Sequence, residues 1–195
     1  GGRGRLVSAE QLSFLGEPTP QPALPMRRGA ILSPCGKYRY HLMREWDATL
    51  PRALFVMLNP STADADIDDP TIRRCLGFAR SWGMGGIEVV NLFGLRATDP
   101  EALWDHLSCR EDGINLNYVS GGVARAVASP GSVIVAAWGA HPRAEHSIVQ
   151  DFLRSVPTGT RVMCLGKTRG GAPRHPLYLA ANTALETFAE GMGPG

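Results

Sequence analysis

Four apolar runs of strand length recur along the chain: RALFVMLNPS (residues 52–61), GIEVVNLFGL (86–95), GSVIVAAWGA (131–140) and RVMCLG (161–166). Unbroken rather than alternating hydrophobicity is what a strand needs when both its faces are covered, and strands of that kind belong to parallel sheets. Helical patterns fall between the runs. TIRRCLGFARSWG (71–83) sets Ile72, Cys75, Leu76 and Ala79 at helical spacing and ends on Gly83, a natural stop. INLNYVSGGVARAVA (114–128) and AEHSIVQDFLRSV (144–156) continue the alternation, a further helix is expected to start near Asp99-Pro100-Glu101, and NTALETFAE (182–190) reads as a closing helix. Parallel strands need long crossovers. The pattern therefore specifies an α/β fold in three layers, α/β/α, around a central, mainly parallel four-stranded sheet. Ahead of it, AILSP, a Cys35-Gly36 turn and the alternating KYRYHLMREW (37–46) predict an N-terminal hairpin with Tyr38, Tyr40 and Leu42 on one face.

With 195 residues, 44% of them hydrophobic, one sizeable core can be buried and little is left for a second. The expected organisation is an arm over residues 1–29, rich in Gly, Pro and Arg without a sustained period, one domain over 30–190, and a short tail over 191–195. The formal net charge of +2 supplies no global field, so nucleic-acid binding would need a local basic patch. No run has the make-up of a signal peptide or a membrane span, which gives a cytoplasmic chain without a membrane partner as the expectation, and a monomer as the default state. Cys35, Cys75, Cys109 and Cys164 form no C-x-x-C pair and the five histidines show no metal spacing, so neither a metal nor another cofactor is expected.

Each apolar run delivers a polar or glycine-rich loop at its carboxyl end: NPSTAD, NLFGLRATDP, WGAHPRAEH and GKTRGGAPRHPLYL. In open α/β sheets the ligand sits beyond those ends, so the four loops are expected to meet at one site. The phosphate loop G-x-x-x-x-G-K-[ST], the dinucleotide fingerprint G-x-G-x-x-G and the nucleophile elbow G-x-S-x-G are all missing, which removes the usual support for nucleotide hydrolysis, dinucleotide redox and serine-hydrolase chemistry. What remains is amides, carboxylates, a histidine and aromatics.

In order and character these loops resemble those of the uracil-DNA glycosylase superfamily. Met57-Leu58-Asn59-Pro60-Ser61 is similar to its first motif, with Ser61 in place of a glycine; Asn91 matches the base-reading asparagine, Trp138-Gly139 the Trp-Gly strand end, and His175-Pro176-Leu177 the His-Pro-Ser loop, with Leu177 in place of the serine. The set MLNPSTAD, DDPTIRRC, VVNLF, RATDP, AAWG and PRHPLYL also resembles, more closely, an uncharacterised bacterial and phage family known only as a domain of unknown function. The superfamily resemblance implies a glycosylase-like fold and an enzyme that flips a modified or damaged nucleobase out of DNA and hydrolyses its N-glycosidic bond. It assigns Asn59 the hydrolytic water, gives catalytic parts to Asp64 or Asp69 and to His175, and sets Asn91, Phe93 and Trp138 around the base. Ser61, Thr62, Lys167, Arg169 and Arg174 would meet the DNA backbone.

Plainer roles compete for the same residues. Asn59 before a proline is a natural turn residue; Asp68 or Asp69, just before Pro70, is a natural helix cap; Asn91 could spend its amide on a structural bond; and Trp138 could cap the core. A sensor that keeps the pocket without cleaving, or a transferase acting on free nucleosides, stands as the alternative function.

Overall fold

The computed structural model describes residues 25–97, 112–142, 144 and 146–194. Cys109 and the helix expected near Asp99 lie outside the described residues, as do residues 1–24 of the arm. The elements run β1 (Arg27–Leu32), β2 (Arg39–Glu45), β3 (Arg52–Met57), α1 (Pro70–Ser81), β4 (Gly86–Asn91), α2 (Asp112–Ala128), β5 (Val133–Ala136), α3 (His146–Ser155), β6 (Arg161–Cys164) and β7 (Glu186–Glu190).

The four apolar runs become the inner strands, in the order β4-β3-β5-β6, and every pair among them is parallel. Alternation along β3 divides the interior. Phe55 and Met57 face one core with Ile72, Cys75 and Phe78 of α1; Leu54 and Val56 face the other with Val123 of α2 and Phe152 of α3. Helix α2 comes close because position 122 is glycine: a Cβ there would stand 3.2 Å from Leu54 Cδ1 and 3.3 Å from Val90 Cγ1. None of the described helices is long and apolar enough to cross a membrane.

Two features differ from expectation. The sheet has seven strands rather than four, because the N-terminal hairpin β1-β2 adds antiparallel to β4 and β7 adds antiparallel to β6. Strand β7 occupies the stretch expected to be the closing helix. Its Ala, Leu and Glu residues favour helix, but nine residues make a marginal one, while pairing beside β6 satisfies backbone groups that an open sheet edge would leave bare. The chain beyond it is also tied down, since Gly191, Met192 and Gly193 donate to the carbonyls of Thr160, Leu153 and Val156.

Strand β2 carries a bulge that matters for the site. Its pairing with β1 steps from Ile31–His41 to Leu32–Arg39, which leaves Tyr40 as an extra residue. Tyr40 stacks on Tyr118 of α2 at 5.2 Å between ring centroids while Leu42 faces the α1 core, so the bulge divides the face expected to hold Tyr38, Tyr40 and Leu42 together. Arg39 is thereby turned to the α1 side, where its Nη1 donates to the Ala63 carbonyl at 2.7 Å.

Candidate functional site

Strands β4 and β5 lie on opposite sides of β3, so the chain changes direction of winding at the β3–β5 boundary, the place beyond whose carboxyl ends open α/β sheets bind their ligands. The β3 loop, residues 58–69, forms one wall. The β5 and β6 loops form the other, where a Cβ on Gly139 would stand 3.5 Å from the His175 Cβ.

The β3 loop is built on ion pairs and turns. Arg44, wholly buried in β2, donates from Nε to Asp68 Oδ1 at 2.8 Å and from Nη2 to the Asp64 carbonyl at 2.7 Å, and Arg28 of β1 reaches the other Asp68 oxygen at 3.0 Å. Asp64 turns its Oδ1 back on the loop and accepts from the Asp66 and Ile67 N–H groups, both at 2.9 Å. Those bonds, Ile67 first, hold its carboxyl below the usual range. Asn59 ties two loops together, its Nδ2 donating to the Ala97 carbonyl at 2.8 Å and to Pro60 at 3.2 Å. Arg96 fixes Ser61 and Thr62 through their carbonyls at 3.5 and 3.2 Å. Asn59 and Asp64, two of the catalytic candidates from sequence, are thus parts of the wall.

Asp69 ends that loop with its side chain buried. It caps α1, its Oδ1 accepting from the Ile72 N–H at 2.8 Å, with Pro70 in the first helical turn. Its charge is also felt by Arg39, by Cys75 and, across the crevice, by His175. Burial lowers the His175 pKa from its ordinary value and Asp69 partly restores it. His175 caps a single 3-10 turn, Pro176–Tyr178, by accepting the Leu177 N–H on Nδ1 at 3.3 Å. With Nδ1 accepting, the proton of the neutral ring sits on Nε2, leaving one N–H donor for a ligand.

Asn91 closes β4 on the α1 side, in step with Ile87 and Val89. It is fully buried, and among the described residues neither Nδ2 nor Oδ1 has a hydrogen-bond partner. Buried polar atoms left in that state are rare in folded proteins, and each costs about 1–3 kcal/mol. The structural bond at this end of β4 is made instead by Asn115 of α2, whose Nδ2 donates to the Asn91 and Leu92 carbonyls at 2.9 and 3.2 Å.

The two aromatics assigned to the base do not join this group. Trp138 is a core residue, 3% exposed, with its ring edge-on to Phe152 at 5.7 Å and to Phe188 at 5.3 Å, so stacking on an extruded base is not open to it. Phe93 is half-buried against the same α2–α3 core. The basic residues of the last loop, Lys167, Arg169 and Arg174, are exposed. Beside them stands Tyr178, 83% exposed, its ring 6.4 Å from that of His175.

Sequence reasoning passed over Tyr178 and Arg39. Tyr178 had a signal, an aromatic in an irregular basic loop. Arg39 had none, because in an alternating hairpin it reads as a solvated strand residue and only the bulge turns it inward.

At the opposite, amino end of the parallel strands a cavity of about 170 Å³ is lined by Arg52, Glu88, Arg125, Ser129 and others. Its charges are committed to each other. Glu88 accepts from His41 at 3.0 Å, from Arg52 at 3.1 Å and from Arg125 at 3.0 and 2.8 Å. Burial alone would raise its pKa, but those partners outweigh it and hold the carboxyl at about 2.

An α/β protein with polar loops gathered at the carboxyl ends of its parallel strands is the class that fold and site define. The chain belongs to the family described as "Protein of unknown function (DUF1643)", whose model matches residues 39–177, from Arg39 to the turn after His175. No curated protein and no solved structure gives a significant match.

Proposed function

We propose that the crevice receives a nucleobase and that the protein hydrolyses the bond joining that base to its sugar. The observation that carries the reading is the buried amide of Asn91. One donor and one acceptor, both without partners and fixed at a strand end, complement the donor–acceptor edge of a pyrimidine, and a ligand that satisfied both would recover the cost of burying them. Asn91 has no exposed surface, so the loops above it must part for a base to enter.

Three further observations support it. The strand order β4-β3-β5-β6 places the crevice where sheets of this type bind ligands. His175 offers a neutral Nε2–H, suited to receiving charge that develops on the departing base, and its depressed pKa keeps the ring neutral. Asp69 holds one carboxylate oxygen outside its capping bond, placed to accept a proton from water or to stabilise a cationic sugar. In the reaction the C–N bond breaks with its electron pair leaving on the base, water adds to the sugar carbon, and the water's proton passes by way of Asp69 to the base. The similarity of the MLNPS, VVNLF and PRHPLYL segments to the uracil-DNA glycosylase superfamily agrees with this scheme. It differs in one part, Asn59 serving the architecture rather than the water, and of the two acidic candidates it takes Asp69. Lys167, Arg169, Arg174 and the exposed Tyr178 supply a rim for a nucleic-acid strand.

A non-cleaving sensor of a modified base is favoured by one observation, the commitment of Asn59 Nδ2 to the Ala97 carbonyl, which leaves fewer groups to hold a water. Incubation with single- and double-stranded oligonucleotides carrying uracil, thymine mismatches and modified pyrimidines, scored for abasic sites, separates the two. Abasic product that Asn91→Ala and Asp69→Asn abolish supports the hydrolase; retention of one modified strand without product supports the sensor; neither product nor retention refutes both.

A further inference from the structure

Among the described residues, buried polar side-chain atoms without a hydrogen-bond partner occur on four residues only: Arg39, Arg74, Asn91 and Asn115. Two of these lie on adjacent strands, β2 and β4, and face the α1 side of the sheet. Asn91 is one; the other is Arg39, 2% exposed, with Nε unpartnered while Nη1 is spent on the Ala63 carbonyl. Strand pairing keeps them close, since the Arg39 N–H donates to the Gly94 carbonyl three residues beyond Asn91 at 2.9 Å.

A guanidinium in this position is a costly thing to keep. It gives up hydration, the bulge in β2 is needed to turn it inward, and the charges around it oppose one another: Asp69 and Asp64 attract it, Arg96 and Arg44 repel it, and among the described residues no carboxylate hydrogen-bonds to it. Burial accordingly lowers its pKa to about 10, which still leaves it charged near neutrality. A structural tie to one carbonyl could be made by a neutral side chain. A positive charge with a spare N–H beside an unpartnered amide is instead the arrangement that holds an oxyanion.

We propose that Arg39 is a ligand-binding residue of this site, which uses its charge and its Nε–H to hold a nucleobase in the anionic form it takes when it leaves the sugar. Asn91 then reads the edge of the base and Arg39 reads its charge. The bond-breaking step sends an electron pair onto the base, and Arg39 is the fixed cation on that side of the crevice. This rests on the nucleobase reading above and adds to it a preference between two charge states of one ring.

The test is a binding titration that needs no cleavage. Wild type, Arg39→Gln and Arg39→Lys are titrated with uracil, which is neutral, and with 5-nitrouracil, whose nitro group leaves it ionised at mildly alkaline pH. Wild type is expected to bind the anion at least about tenfold more tightly than uracil, Arg39→Gln to lose that preference while keeping its uracil affinity within about twofold, and Arg39→Lys to recover part of it. Retained uracil affinity shows that the pocket survives both the substitution and the loss of the Ala63 tie, whereas an equal loss of affinity for both bases would make Arg39 a support of the β3 loop and overturn the assignment. Arg39→Gln with an undiminished preference for the anion overturns the assignment. Failure of wild type to bind either base overturns the nucleobase reading and this inference with it, whereas base binding without abasic product overturns the hydrolase alone.

Discussion

Replacing Asn91 by leucine should make the protein more stable and useless. The two side chains have the same branching and leucine is the larger, so the substitution removes two buried polar atoms without opening a cavity. Each such atom left unpartnered costs about 1–3 kcal/mol, about 2–6 kcal/mol for the pair, and crowding by the larger methyl groups gives back about 1–3 kcal/mol. The expected net gain is about 1–3 kcal/mol, which for a domain of this size raises Tm by about 2–12 °C. Urea unfolding at neutral pH, followed by circular dichroism, measures the gain directly, and an unchanged slope with a higher midpoint locates it in the folded state. Asn91→Ala, which does leave a cavity, should not share it. A loss of more than about 1 kcal/mol in Asn91→Leu would refute the reasoning, because it would mean that the amide is bonded in the free protein and does not wait for a ligand.

Three further outcomes follow from the geometry. Asp69→Asn keeps an oxygen for the Ile72 N–H but removes the charge that raises the His175 pKa, so the imidazole titration followed by NMR should move to lower pH while the helix cap holds; an unmoved titration would separate the two residues. Glu88, folded at about 2 against an ordinary 4.5, contributes stability that is complete above pH 4.5 and drains as pH falls towards 2; about 3 kcal/mol is its ceiling, less for the half-exposed Arg125, and Glu88→Gln should flatten the acid limb of the unfolding profile. Gly85→Ala would drive a Cβ to 2.0 Å from the Asp47 carbonyl oxygen, backbone against backbone, and should cost roughly 2–3 kcal/mol in the same urea assay.

The inner sheet was legible because burial on both faces leaves unbroken apolar runs, and α1 because Asp69, Pro70 and Gly83 punctuate it in the order helices favour. The last strand was not, since Leu185, Glu186 and Ala189 favour helix locally and only the open edge of β6 draws them into the sheet. Within the site, sequence placed Asn91, Asp69 and His175 at strand or loop ends, where structure also has them. It could not rank Asp64 against Asp69. Both lie in one acidic loop, and the difference is that Asp64 bonds its own turn while Asp69 is buried within the electrostatic reach of His175. Arg39 was hidden for a related reason: one extra residue in β2 reverses the direction of everything before it, and a bulge leaves no mark in an alternating pattern.

The central claim is that the Asn91 amide waits for a base, and its own NMR signal reports on that. In protein labelled with ¹⁵N, titration with a free pyrimidine base should shift the Asn91 side-chain NH₂ resonance, assigned by its disappearance in Asn91→Asp, downfield and slow its exchange with water. Saturable binding of the base with the Asn91 resonance unmoved, or no binding at all, would contradict the account.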